Sequence, residues 1–213
     1  MDNKITQVTM RVINELYHNG DPDKAALANL RRTLSITDKG AEKIWPLIFQ
    51  AVGKNNQHLL STSNVPSRFE IAIYTALHCY AMFQQGSDAF VFGRIPYKKE
   101  DQLNENEQVE EKGVSLFTAL KQSKDNDDKI KTALDRRVTA LLATTNAASA
   151  INSINHLVNI LKGKNLVKKV DFAQLAADLY SFQYSSQQAR AVALKWGRDY
   201  YWNVYQLETT DKD

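Results

Sequence analysis

The sequence predicts an all-α protein, with two packed helical bundle subdomains and about eight to nine helices in total. Only four prolines occur among 213 residues, which leaves long windows without a helix-breaking residue. Apolar residues recur three and four positions apart through most of the chain, as in helices that bury one face. No alternation of apolar and polar residues is long enough to predict a strand.

Four helices are predicted in the N-terminal half. They span residues 4–18, 21–34, 40–52 and 68–85. Asn19-Gly20 is a stop signal for the first, and Asp21-Pro22 supplies a cap and a first-turn proline for the second. Pro46 predicts a kink or a restart in the third, because proline removes a helical hydrogen bond. The fourth is apolar on nearly every face, which is typical of a helix buried within a bundle.

The C-terminal half predicts four or five more helices. They span residues 109–122, 127–143 and 147–161, followed by a pair within 171–205 that is joined at 184–187. Gly163 is the expected stop of the third. Asp171 is the expected N-cap of the first helix in the pair, whose apolar residues recur at i, i+3, i+4 and i+7 from Phe172.

Charge divides the chain into two basic parts. Residues 1–99 hold twelve basic and eight acidic residues, residues 113–207 hold thirteen and seven, and residues 100–112 hold one and six. We therefore expect an N-terminal subdomain at 1–99, an acidic connector at 100–112, a C-terminal bundle at 113–207 and a polar tail at 208–213. The uneven charge favours a polyanionic partner, although single lysines usually just solvate a helix face.

The chain lacks the usual sequence marks of an enzyme, a metal site or a bound cofactor. The single cysteine, Cys79, excludes a disulfide framework, and the four histidines show no metal-binding spacing. His78 is expected to be a hydrogen-bonded core residue. We find no signal-peptide pattern and no apolar run of membrane-spanning length, so we expect a cytoplasmic protein that does not enter a membrane.

Two arginine pairs, Arg31-Arg32 and Arg136-Arg137, are candidates for binding a partner. Neighbouring helical residues point about 100° apart, so the members of each pair need separate roles. Arg32 and Arg136 point away from the apolar stripes, whereas Arg31 and Arg137 flank them and are expected to be partly buried. These arginines are either solvated and ion-paired residues or a basic track for nucleic-acid phosphates. Lysines before the second pair extend that track: Lys121, Lys124, Lys129 and Lys131.

A series of motifs resembles the CasB family, the small subunit of the type I-E CRISPR surveillance complex Cascade. In chain order they are ALANLRR (26–32), PSRFEIAIYTAL (66–77), GVSLFTAL (113–120), LDRR (134–137), HLVNILK (156–162), DFAQLAADLYSF (171–182) and LKWGRDYY (194–201). Each motif is weak alone, but their order and spacing are specific. Two positions depart from the family: Phe182 replaces a common tryptophan, and Thr118 stands where some relatives carry an arginine.

The resemblance implies an all-helical, non-enzymatic subunit. It implies assembly, often as two copies, with the backbone subunits, the large subunit and the CRISPR RNA. The family's role is to steady the R-loop by holding target DNA and the displaced non-target strand, which suits a strand exchange that is nearly balanced in free energy. On this basis the candidate nucleic-acid-binding residues are Arg31, Arg32, Arg68, Lys121, Arg136 and Arg137. Arg68 would lie in the first turn of its helix, where backbone N–H groups favour an anion.

A second hypothesis is a helical scaffold that binds proteins and does not touch nucleic acid. The basic and aromatic end of segment 171–205 fits either a core or a partner surface. Helical spacing favours core positions for Phe172, Leu175, Leu179, Trp196 and Tyr200. Arg190, Lys195 and Arg198 are then left outside that core.

Overall fold

The computed structural model describes residues 2–96, 112–162, 167 and 169–202, and this part of the chain is all-α, as predicted. Its α-helices are α1 (Asp2–Tyr17), α2 (Lys24–Arg32), α3 (Trp45–Val52), α4 (Arg68–Gln84), α5 (Leu116–Asp125), α6 (Asp128–Ala143), α7 (Ala147–Lys162), α8 (Phe172–Phe182) and α9 (Ser186–Tyr201). Short 3-10 helices occupy His18–Gly20, Ala41–Lys43 and Lys54–Leu59. Val170 forms isolated parallel bridges with Phe92 and Val114.

Polar side chains next to the helices set where most of them begin. Asp23, Ser115, Asp127, Asp171 and Ser185 each accept a hydrogen bond from a backbone N–H in the first turn of the following helix. Such caps satisfy donors that have no partner inside the helix. The predicted cap at Asp171 is therefore confirmed, whereas the predicted cap at Asp21 is wrong, because α2 begins at Lys24 behind Asp23.

Several predicted boundaries shift. The third helix restarts at Trp45, with Pro46 in its first turn, as predicted. The second helix ends at Arg32, and Leu34 is 59% exposed rather than part of an apolar stripe. The reason is a turn in which the Asp38 carboxylate accepts hydrogen bonds from the N–H groups of Leu34 (2.7 Å) and Ser35 (2.9 Å). The fifth helix begins behind its cap at residue 115, later than predicted. Residues 100–111 of the acidic connector, the predicted helix stop at residue 163 and the tail (208–213) lie outside the described residues.

Helix α4 is the centre of the core, and its residues from Phe69 to Gln84 are almost all buried. Helices α1, α2, α7 and α8 pack around it. Phe172, at the start of α8, lies against Tyr80 and Phe83 of α4, with ring centroids 5.9 Å away in both cases. Helix α8 also packs against α1. The division into two subdomains stays a prediction, and α8 joins the helices on both sides of it.

Helices α5, α6, α7 and α9 form a second packed group, which α7 connects to α4. The indole ring of Trp196 stacks between Phe117, with centroids 4.9 Å apart, and Phe182, at 5.5 Å. Trp196 and Tyr200 are 1% and 0% exposed, so the core positions predicted for them are confirmed. Phe182, one of the two positions at which the motifs depart from the resembling family, fills one side of this stack, so an aromatic contact is present there.

Candidate nucleic-acid interface

The last turn of α2, which carries Arg31 and Arg32, is fastened to α4 by polar contacts. The Nδ1 of buried His78 lies 2.6 Å from the carbonyl oxygen of Leu30, so this nitrogen carries the proton and donates it. One turn away along α4, the hydroxyls of Tyr74 and Thr33 are 2.5 Å apart. These bonds hold the end of α2 in one position against the core.

The two arginines of this turn have different roles. Arg31 donates from Nη1 to the carbonyl oxygen of Ala81 at 3.4 Å. Burial, and to a lesser degree the charge of Arg32, lowers the pKa of Arg31 below its ordinary value. Arg32 is exposed. Arg31 is therefore partly engaged within the fold, and Arg32 is the member of the pair that faces outward.

Arg68 is the first residue of α4 and is exposed. Its guanidinium carbon lies 4.6 Å from the centroid of the exposed Tyr184 ring, in a cation–π contact. The expectation that the helix N-terminus favours an anion here is weakened by a capping box. The Ser67 hydroxyl accepts from the N–H of Glu70, and the Glu70 carboxylate accepts from the N–H of Ser67 at 2.7 Å. The turn thus already holds a carboxylate, so an attraction for phosphate rests on the Arg68 side chain.

Arg136 and Arg137 lie side by side on α6, and both are exposed. The partial burial predicted for Arg137 is wrong. The buried stripe of α6 is narrow, because only the side of the helix around Leu134 and Val138 meets the core, and Ala140 beyond Arg137 is exposed as well. Neither arginine has an ion pair within the described part of the chain.

The lysines of α5 are paired. Lys121 forms an ion pair with Asp125, one turn later on the same helix. Lys124 lies 3.4 Å from Asp135 of α6 and 4.4 Å from the ring centroid of Tyr200 of α9. The Tyr200 hydroxyl donates to the same Asp135 at 2.9 Å, and burial raises the pKa of that hydroxyl. Lys124 therefore links three helices, whereas Lys121 borders an open surface.

The three cations predicted to lie outside the C-terminal core have different surroundings. They are Arg190, Lys195 and Arg198. Lys195 forms an ion pair with Asp178 at 2.6 Å, and Arg190 donates to the carbonyl oxygen of Leu142 at the end of α6 at 2.7 Å. Arg198 is exposed and lies beside Trp202, which is 66% exposed. Arg198 and Trp202 line a surface hollow of about 730 Å³ between α5 and α9, together with Lys121 and Asp199.

The predicted residues do not form one patch. Arg31 contacts α4 thirteen residues beyond Arg68, a separation of about 20 Å along the helix axis. Lys121 is instead brought to Arg198 and Trp202, which were not among the predicted binding residues. Arg198 lies in the last turn of α9 and Trp202 caps that helix. A cation four residues before an aromatic residue is the sequence signal for this pair, although the same spacing also suits a core.

Two other kinds of site are not found in the described part of the chain. It contains no group of three or more histidine, cysteine, aspartate or glutamate side chains arranged to hold a metal ion. None of its helices combines the length and the apolar character needed to cross a membrane.

The chain matches known proteins in sequence and in structure. A family model described as CRISPR-associated protein Cse2 matches residues 26–201. The crystal structure of CasB from Thermobifida fusca has a TM-score of 0.62 and 24% sequence identity, and the match covers 92% of this chain and 97% of that one. At this identity the likeness shows a shared fold. No curated protein matches the chain in sequence.

The family model spans most of the chain and includes all seven of the resembling motifs, from the second helix to the end of the ninth. The all-α fold and the match to CasB agree with it. The chain therefore belongs to the CRISPR-associated Cse2 family, the CasB small subunits of type I-E Cascade.

Proposed function

We propose that this chain is a non-catalytic subunit that stabilises the R-loop of Cascade by holding DNA on its basic faces, the displaced non-target strand in particular. The observation that carries the proposal is a set of exposed arginines without a carboxylate partner within the described residues: Arg32, Arg68, Arg136 and Arg137. Solvated guanidinium groups of this kind make bidentate contacts with phosphate.

Weak contacts of this kind are sufficient for such a role. Exchanging the DNA duplex for an RNA–DNA hybrid is close to balanced in free energy, so modest protein contacts to the freed strand shift the equilibrium. The arginines lie on α2, α4 and α6, so their contacts would be spread over the surface. In this proposal the chain works in the cytoplasm beside the backbone subunits, the large subunit and the CRISPR RNA. A second copy of the chain is compatible with this assembly.

The test is a combined Arg32→Glu, Arg68→Glu and Arg136→Glu variant, assayed for binding to an oligo-dT single strand. Each lost phosphate contact should lower the slope of log affinity against log salt by about 0.7, so the variant should lose about 2 units. Weaker binding at about 50 mM salt, with unchanged helicity, is the expected result. R-loops formed by Cascade containing the variant should dissociate faster.

A charge-matched control separates contact from general repulsion. Lys4→Glu, Lys24→Glu and Lys54→Glu change the net charge equally at three exposed lysines away from the predicted positions. This control should keep most of the wild-type salt slope. Equal slopes for the two variants, or wild-type binding by the arginine variant, would remove the DNA-contact assignment.

The scaffold hypothesis also has an observation in its favour. Trp45 and Phe49 of α3 are 37% and 43% exposed, with ring centroids 6.5 Å apart. Exposed aromatic pairs of this kind are enriched at protein interfaces. A wild-type chain that does not bind single-stranded DNA even at about 50 mM salt, yet joins Cascade, would favour this second function.

A further inference from the structure

The outer face of α9 carries an apolar hollow that the core does not use. It has a volume of about 440 Å³ and lies between the last turn of α6 and the second half of α9. Leu142 and Gly197 meet at its base, where a Cβ on the glycine would lie 3.4 Å from Leu142 Cδ1. Tyr201 and Trp202 border it and are 49% and 66% exposed.

Helix α9 thus has aromatic residues on two faces. Trp196 and Tyr200 are buried four residues apart on the inner face, and Leu194 and Tyr201 are exposed on the outer face. Exposed aromatic and aliphatic side chains that border one hollow form a contiguous apolar patch, and such patches are typical of binding surfaces. Within the described part of the chain, the outer face is therefore open to a ligand without any change in the core.

The charge around this hollow is positive. Arg190 and Arg198 line it, and none of the described residues that border it carries a carboxylate. The bond from Arg190 to the carbonyl oxygen of Leu142 fixes one guanidinium at the edge and leaves its other N–H groups to donate. A ligand with flat apolar groups and negative charge fits this surface best.

The ring of Tyr201, at the edge of the hollow, is held in place. The Tyr201 hydroxyl lies 3.1 Å from the Thr139 hydroxyl. Its ring meets that of Tyr200 edge to face, with centroids 4.8 Å apart. Side chains that are already ordered lose little conformational entropy on binding.

Trp202 and Arg198 also belong to the second hollow, which contains Lys121. The two hollows therefore share a wall, and cations occur along it at Arg190, Arg198 and Lys121. Asp199 also lines the second hollow and Lys121 is ion-paired with Asp125, so the positive charge of this path comes mainly from Arg190 and Arg198. Single-strand-binding proteins combine such a basic path with aromatic platforms for the bases.

We propose that this outer face of α9 is a base-stacking subsite for single-stranded DNA, with Trp202 and Tyr201 contacting bases and Arg198 contacting a phosphate. The inference rests on the proposed function, and it names a place where the displaced strand is held. Because stacking uses the π-face that every base has, the subsite should tolerate any sequence.

The test measures binding of an oligo-dT strand by the full-length chain carrying Trp202→Ala. Loss of one stacking contact should weaken binding by about fivefold to a hundredfold. The salt slope should stay unchanged, because the indole ring carries no charge. Trp202→Phe, which keeps an aromatic face, should recover much of the affinity. Leu194→Ala, which removes an exposed apolar side chain from the same hollow, should have a small effect.

Tryptophan fluorescence gives an independent result. The chain has three tryptophans, at positions 45, 196 and 202. Oligo-dT should quench the emission of wild type and of Trp45→Phe, and this quenching should disappear in Trp202→Phe. Trp202 is exposed, so Trp202→Ala and Trp202→Phe should keep the wild-type circular dichroism spectrum and melting temperature.

Other outcomes would overturn the subsite. Wild-type affinity in Trp202→Ala, beside weakened binding in the triple arginine variant, would reject the subsite and leave the proposed function standing. Wild-type binding in the arginine variant would count against the proposed function instead. If Trp202→Ala kept its DNA affinity but failed to join the other Cascade subunits, the hollow would be a protein-docking surface.

Discussion

Replacing Asp178 with alanine should destabilise the junction between α8 and α9. The Asp178 carboxylate is buried and accepts three hydrogen bonds. One comes from the indole Nε1 of Trp196 at 2.9 Å, one from Lys195 Nζ at 2.6 Å and one from Gln174 Nε2 at 2.9 Å. Two of the three donors lie on α9, so the alanine variant loses the polar connection between these helices.

The expected cost follows from the burial of each donor. The indole N–H of Trp196 would remain inside the protein without an acceptor, at a cost of about 1–3 kcal/mol. The side chain of Lys195 is 43% exposed, so solvent screens its ion pair and the loss there is about 0–1 kcal/mol. The bond from Gln174, one turn away on the same helix, contributes about 0.2–0.5 kcal/mol. We therefore expect a total loss of about 1–4.5 kcal/mol.

Urea unfolding followed by circular dichroism measures this loss. The midpoint of Asp178→Ala should fall while the slope m stays the same, since the surface exposed on unfolding is unchanged. Lys195→Ala is the control and should cost less than about 1 kcal/mol. A cost below about 1 kcal/mol for Asp178→Ala, or an equal cost for both variants, would refute the assignment of the energy to the buried indole.

Two further predictions concern pH and helix stability. Burial lowers the pKa of His78 below its ordinary value of 6.5, so the unfolded state binds this proton more readily and stability should fall as the pH drops below about 6.5. Urea unfolding at a series of pH values below about 6.5 measures this fall in the free energy of unfolding. The fall should be smaller for His78→Gln than for wild type, and the exposed His156→Gln is the control that should match wild type. An equal fall in wild type and both variants would contradict the prediction. Gly197→Ala should raise the melting temperature, since alanine favours a helix interior by about 1 kcal/mol and the new methyl group only touches the end of Leu142. A lower melting temperature would mean that the Leu142 side chain cannot move aside to accommodate the new methyl group.

The helices were predictable because their causes are local. The apolar run of α4, the cap at Asp171 and the restart near Pro46 each depend on residues within a turn or two. The failure at the end of α2 has a local cause as well. Asp38 captures the N–H groups of Leu34 and Ser35, a contact that the apolar spacing of the segment does not reveal.

The candidate site was predictable only in part. Periodicity correctly placed Arg32 and Arg136 on outward faces, but it put Arg137 beside a buried stripe that proved too narrow to cover it. Trp202 sits at a spacing that also suits a core, since Trp196 and Tyr200 nearby are buried. Which face of α9 is covered depends on how α5, α6 and α8 pack against it, and that information lies elsewhere in the chain.

The sequence alone determined the helical class, most helix positions and the family, because caps, apolar periodicity and ordered motifs are properties of neighbouring residues. The tertiary structure decided which cations are engaged and which remain at the surface. Lys195 meets Asp178 seventeen residues away, Lys124 meets Asp135 across a helix pair, and Arg190 reaches Leu142 on another helix. It also decided that α8 packs against α1 and α4. The physical reason is that a periodic pattern records which face of a helix is buried, but not which distant residues bury it.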